Sequence, residues 1–171
     1  MSQKFLGITI DNDLQFDEHI QQTRSKAKKH LHALTKLKRL GVNQAKLCLF
    51  YNANVRSVLC YASPAFYTLL SVKQKQSLKS VRRYAMRIIL PHIDPYTSTL
   101  EVLDLSTLEN FITKLTANRF SKIVTNSNHN LHGFLPKRQS SNRHSKRLNN
   151  NFIRPLIRTS LRAKSFFISN L

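Results

Sequence analysis

Between Glu18 and Asp94 the chain carries 15 Lys and Arg residues and not one acid. Any fold must bring those charges close together, and like charge in a compact state repels itself. All eight acids sit in two clusters: Asp11, Asp13, Asp17 and Glu18, then Asp94, Glu101, Asp104 and Glu109. After Glu109 another 12 Lys and Arg follow with no acid, and the net charge is +20. A polyanionic partner would relieve this repulsion. Nucleic acid is the first candidate and an anionic membrane surface the second.

The 171 residues suffice for one core-forming domain, and 41% of them are hydrophobic. Three glycines and no tryptophan argue against a turn-rich all-β protein. Cys48 and Cys60 fall in one expected helix, ~18 Å apart at 1.5 Å per residue, too far to bridge. A reducing compartment is compatible with that, and nuclear and cytoplasmic locations both stay open. No run of about 18 apolar residues suggests a membrane span. No apolar signal core follows the first lysine, and no internal repeat is visible.

Phe5, Ile8 and Ile10 read as one short strand followed by a "DND" turn. With no partner strand in view, it is expected to be an exposed edge. Asp17 is a candidate N-cap. A helix follows to Leu40, with Ile20, Ala27, Leu31 and Leu34 as its apolar stripe and Gly41 as its C′ residue. Asn43 caps a second helix to about Cys60, with Leu47, Tyr51, Val55, Val58 and Leu59 inward. Pro64 ends it. Ser71 with Gln74 forms a capping box for a third helix whose apolar side is Leu78, Val81, Tyr84, Ala85 and Ile88. Pro91 stops that helix. Ser106 with Glu109 forms a second box, opening a fourth helix that carries Leu108, Phe111, Ile112 and Leu115.

The composition then shifts. Residues 126–171 hold eight Asn, seven Ser, nine Lys/Arg and no acid, the signature of an irregular, partly disordered arm. The expected architecture is therefore mainly α: a strand and turn over 1–16, a bundle of about four helices over 17–125, and a basic tail over 126–171.

The third helix is the most informative. Lys75, Lys79, Arg83 and Arg87 are four residues apart and line one ridge, with Arg82 beside it. Like charges at that spacing destabilise a helix by roughly 0.2–0.5 kcal/mol per pair. A phosphate backbone turns that cost into a gain through counterion release. Lys28, Lys29, Lys36 and Arg39 form a similar polar face on the first helix. Phe50, Tyr51 and Tyr61 are expected in the core. Phe66 and Tyr67, after Pro64, are open to either core or base stacking. The segment "DNDLQFDEHIQQ" lacks the Gly and the acid that a calcium loop needs, since Phe16 and Gln22 stand at those positions. Asp11 and Asp13 read as turn and cap residues rather than a metal pair. His129 and His132 have no further Cys or His at zinc spacing. No metal site, glycine-rich phosphate loop or nucleophile motif is evident.

Taken in order, "KFLGITIDNDLQFDEHI", "LFYNANVRSVLCYASPAFYTLLS" and "LKSVRRYAMRIIL" resemble the C-terminal part of a reverse transcriptase from a non-LTR (LINE-like) retrotransposon. "LHGFLPKR" and "RTSLRAKSFF" resemble its post-thumb tail. The resemblance implies the end of a palm, a helical thumb and a basic tail. It also implies a chain that lacks the catalytic aspartate pair, the fingers and their Mg²⁺, and so is not itself an enzyme. A truncated reading frame is the expected origin. A thumb grips a template–primer duplex by its backbone, positioning it without reading sequence. The implied contacts to RNA or DNA are Lys28, Lys29, Lys36, Arg39, Lys75, Lys79, Arg82, Arg83 and Arg87, with Arg138, Arg143, Lys146 and Arg147 adding affinity from the tail. A missing palm and fingers would be a second kind of partner; a membrane would not. The alternative is an unrelated basic helical nucleic-acid-binding structural protein.

Overall fold

The computed structural model of the chain describes residues 2–92, 96–137, 152–153 and 155–171. They are mainly helical, with one short antiparallel sheet at the N-terminus. Strand β1 (Ser2–Phe5) pairs with β2 (Ile8–Asp11), Phe5 facing Ile8 and Ser2 facing Asp11. The two-residue turn has positive φ at both centres, Leu6 at 46° and Gly7 at 81°, as a type I′ hairpin requires. The expected orphan strand thus has a partner supplied from within the chain. The hairpin is also docked: Tyr61 Oη donates to the Leu6 carbonyl at 2.8 Å, and Thr9 Oγ1 donates to Gln22 Oε1 at 3.2 Å.

Helix α1 (Asp17–Arg39) opens after Phe16, which is left-handed at φ 59° and caps with no side-chain bond. Asp17 therefore lies inside the first turn beside Glu18, while Lys36, Lys38 and Arg39 end the helix. Acids at the start and bases at the end both suit the helix dipole. Gly41, at φ 77°, sits at C′. Its N–H donates to the Lys38 carbonyl and that of Val42 to the Leu37 carbonyl, the pair of bonds that defines a Schellman stop.

Asn43 then accepts from the Lys46 N–H at 3.0 Å and starts α2 (Gln44–Phe50). This helix continues through a π-helical turn, Tyr51–Arg56, into α3 (Ser57–Cys60). Leu47, Tyr51, Val55 and Leu59 are all buried, four residues apart. Four-residue steps outrun a 3.6-residue turn, and a wider i→i+5 turn lets the row keep facing the core. Pro64 opens a further short turn rather than a linker: α4 (Ser63–Phe66) follows a left-handed Ala62 and leads into the 3₁₀ turn Tyr67–Leu69. Phe66 and Tyr67 are both buried, which places them in the core. Tyr61 is 54% exposed, a correction to its expected core position.

Helix α5 (Val72–Ile89) starts on the expected Ser71–Gln74 capping box. Gln74 Nε2 also reaches the Gln15 carbonyl and Asp17 Oδ1, both at 2.6 Å. At the other end Lys38 Nζ donates to the Ile89 carbonyl at 3.1 Å. Starts meet starts and ends meet ends, so α1 and α5 run parallel, and the α2–α3 helix packs against both. Leu34, Leu47, Val55, Leu78, Ala85 and Ile89 fill the shared core at 0–1% exposure. Helix α6 spans Tyr96–Val102. Helix α7 (Leu108–Thr125) is capped by Thr107, whose hydroxyl accepts from the Asn110 N–H at 3.1 Å. The cap is thus one residue after the expected Ser106. In the tail, α8 (Ser160–Ala163) and α9 (Phe166–Ser169) are single turns. Phe120 of α7 holds Phe152 and Phe166 at ring-centre distances of 6.3 and 6.1 Å.

Candidate nucleic-acid interface

Parallel α1 and α5 leave a cleft of about 520 Å³ on their outer side. From α1 it takes Arg24, Lys28, His32, Thr35 and Arg39; from α5 it takes Ser80 and Tyr84. Leu31 and Val81, both buried, make its floor. The α1 residues recur at three- and four-residue steps, which puts them on one face. No carboxylate lines the cleft. The Nε of Arg24 is enclosed and has no hydrogen-bond partner, while Tyr84 is 56% exposed. A cationic wall, an apolar floor and one open ring suit a phosphate backbone and, secondarily, a stacking base.

Two sequence-predicted residues, Lys28 and Arg39, line this cleft. Lys29 and Lys36 are exposed on α1 outside its lining. Arg83 and Arg87 are exposed on α5. The rest of the α5 ridge is engaged within the molecule. Lys75 Nζ lies 5.1 Å from the centre of the Tyr67 ring. Lys79 pairs with Glu109 at 2.7 Å. The offsetting acid that α5 lacks in its own sequence is thus supplied by α7. That pair, with Lys75 near, holds the Glu109 carboxyl below its ordinary range.

Arg82 does not belong to the surface at all. It is 1% exposed, and its Nη2 donates to the Ser106 carbonyl. The buried side of α5 is Leu78, Val81, Arg82, Ala85, Met86 and Ile89, so Arg82 belongs to the core face, while Tyr84, expected there, faces solvent. Its long apolar stem can pack while the head reaches a helix-end carbonyl. Arg138, Arg143, Lys146 and Arg147 lie outside the described residues. Sequence reading missed Arg24, His32 and Tyr84. The signal for the first two was available, because Arg24, Lys28 and His32 share one four-residue step.

Burial raises the Tyr51 and Tyr67 hydroxyls to about 12 and the Cys60 thiol to about 11. The Cys48 thiol is also raised by burial. Both thiols are therefore protonated near neutral pH and poor nucleophiles. Asp11 Oδ1 accepts from the Gln15 N–H at 2.7 Å, the geometry of a capped turn. Among the described residues no three His, Cys, Asp or Glu side chains gather as a metal site. Among them, too, no helix is long and apolar enough to cross a membrane.

Compared with known proteins, the chain matches no family model, and no curated protein or solved structure is detectably similar to it.

Proposed function

We propose that the chain is a thumb-like unit of the non-LTR retrotransposon reverse-transcriptase kind, gripping the backbone of an RNA or DNA duplex and acting by binding rather than catalysis. The ordered segments from "KFLGITIDND" to "LRAKSFF" support the family half of this reading. The observation that carries the binding half is the acid-free row of Arg24, Lys28 and Arg39 along one cleft. From Arg24 to Arg39 the row spans ~22 Å of helix at 1.5 Å per residue, long enough to meet several phosphates of a duplex. Arg83 and Arg87, exposed on the parallel helix, extend the positive field on the far side. The row offers donors and no acceptors, which positions a backbone without reading bases. No metal is assigned to this chain; Mg²⁺ belongs to the catalytic centre of the parent polymerase.

The test compares RNA–DNA hybrids of unrelated sequence, with wild type beside an Arg24→Gln/Lys28→Gln/Arg39→Gln variant. Two hybrids should bind wild type within about threefold of each other, since backbone contacts carry no sequence information. The variant should lose on the order of 100-fold at ~0.1 M salt, the effect of three forfeited phosphate contacts. A folded variant that binds like wild type would refute the assignment.

A further inference from the structure

A second concavity, of about 730 Å³, lies at the C-terminal end of α7, where α4 and α9 meet it. Its volume falls within the range of small-ligand sites, and a duplex is too wide to enter it. Pro64, Ile123, Leu131 and Phe166 form an apolar lining. The Phe166 ring is held by other rings, Phe120 at 6.1 Å and Phe167 at 5.4 Å.

The polar rim has one sign. Arg119 and Lys122 are cations on one face of α7. His129 Nδ1 accepts from the Leu131 N–H at 3.1 Å, so the neutral ring carries its proton on Nε2 as a free donor. Asn126 Oδ1 is occupied by the Asn128 N–H at 3.0 Å, which leaves its amide NH₂ to donate. Two of the helix-end carbonyls, which would repel an anion, are occupied: Lys122 O accepts from the Asn126 N–H at 3.2 Å, and Ile123 O faces His132 Nδ1 at 2.8 Å. No carboxylate lines the site. An apolar slot ringed by donors complements a flat ring joined to an oxyanion.

We infer that this cleft holds one unpaired nucleotide, its base against Phe166 and Ile123 and its phosphate on Arg119 and Lys122; this rests on the nucleic-acid reading above. The α1–α5 cleft would then grip paired backbone, and the α7–α9 cleft would receive a strand end or an unstacked base.

The experiment uses the full chain and equilibrium dialysis with three probes: adenosine 5′-monophosphate, ribose 5-phosphate and decanoate. Adenosine monophosphate should bind, and ribose 5-phosphate should bind at least about tenfold more weakly, because the base contact is lost. Two variants separate the slot from its charge. Ala65→Phe fills the cleft without removing a cation, and Arg119→Gln/Lys122→Gln removes the cations without filling it. Each should lower nucleotide affinity tenfold or more and leave blunt hybrid-duplex affinity within twofold, with an unchanged circular dichroism spectrum. Should Ala65→Phe misfold, the charge variant alone decides. Equal affinity for the nucleotide and the sugar phosphate would overturn the inference. So would decanoate binding without nucleotide binding, or nucleotide binding untouched by the variants. Loss of duplex binding with nucleotide binding intact would instead refute the duplex grip and leave this site standing.

Discussion

Arg82→Met separates the two roles that an arginine in a basic helix can have. In the folded chain Arg82 is 1% exposed, and its Nε and Nη1 are enclosed without hydrogen-bond partners. Among the described residues its bond goes to the Ser106 carbonyl, on an exposed residue that water can satisfy instead. Removing that bond costs about 1.5–3 kcal/mol, as for other hydrogen bonds to charged groups. Removing two unsatisfied buried donors returns about 1–3 kcal/mol each, the desolvation penalty those groups carry. Methionine keeps most of the unbranched stem, so the core stays filled. The balance favours the variant by about 1–3 kcal/mol. At about 2–4 °C per kcal/mol for a chain of this size, the melting temperature should rise by roughly 2–12 °C. Thermal unfolding by circular dichroism measures it, and hybrid-duplex affinity should not change. A loss of more than about 2 kcal/mol would show that the guanidinium is needed in the core. A tenfold loss of duplex affinity with the fold intact would return Arg82 to the interface, where the sequence alone had put it.

Other perturbations probe the hairpin. His19 is buried beside Phe66, and its Nδ1 accepts from the Thr9 N–H at 3.4 Å. Burial, with Lys26 adding, lowers its pKa below 6.5. The folded state therefore favours the neutral ring. Its contribution is complete above the unfolded value and is lost as pH falls through the folded one. Urea midpoints should drop in that acid window, and His19→Gln should flatten the drop. Gly7→Ala places a methyl 3.4 Å from the Tyr61 ring at φ 81°. It should destabilise the hairpin by about 1–2 kcal/mol, read as faster amide exchange in β1 and β2.

Much of the helical frame was legible because helix ends are local chemistry. Gly41, Asn43, the Ser71–Gln74 box and Pro91 each act through neighbours within a few residues. The stripe of Ile20, Ala27, Leu31 and Leu34 is periodic and proved buried. The first strand was missed because its turn is Leu6–Gly7, which lacks the Asn-Gly or Asp-Gly signature of a type I′ hairpin. Thr107 displaced Ser106 as a cap, a choice between adjacent hydroxyls that sequence does not rank. Whether a basic residue faces water is not a local property. Arg82 and Arg83 are neighbours, yet one lies in the core and the other on the surface. The pairing of Lys79 with Glu109 bridges 30 residues, so the charge on the α5 ridge could not be counted from α5 alone. The cleft needed the parallel placement of α1 and α5, which rests on Gln74 reaching Gln15 and Lys38 reaching Ile89.

The most direct measurement is the salt dependence of hybrid-duplex binding, taken from about 50 to 300 mM for wild type and the Arg24/Lys28/Arg39→Gln variant. Each neutralised phosphate contributes about 0.9 to the slope of log K against log salt, so the two slopes should differ by about 2.7. That result would fix the α1–α5 cleft as a phosphate grip. Parallel lines, or a wild-type slope near zero, would mean that the row of cations along α1 touches no backbone.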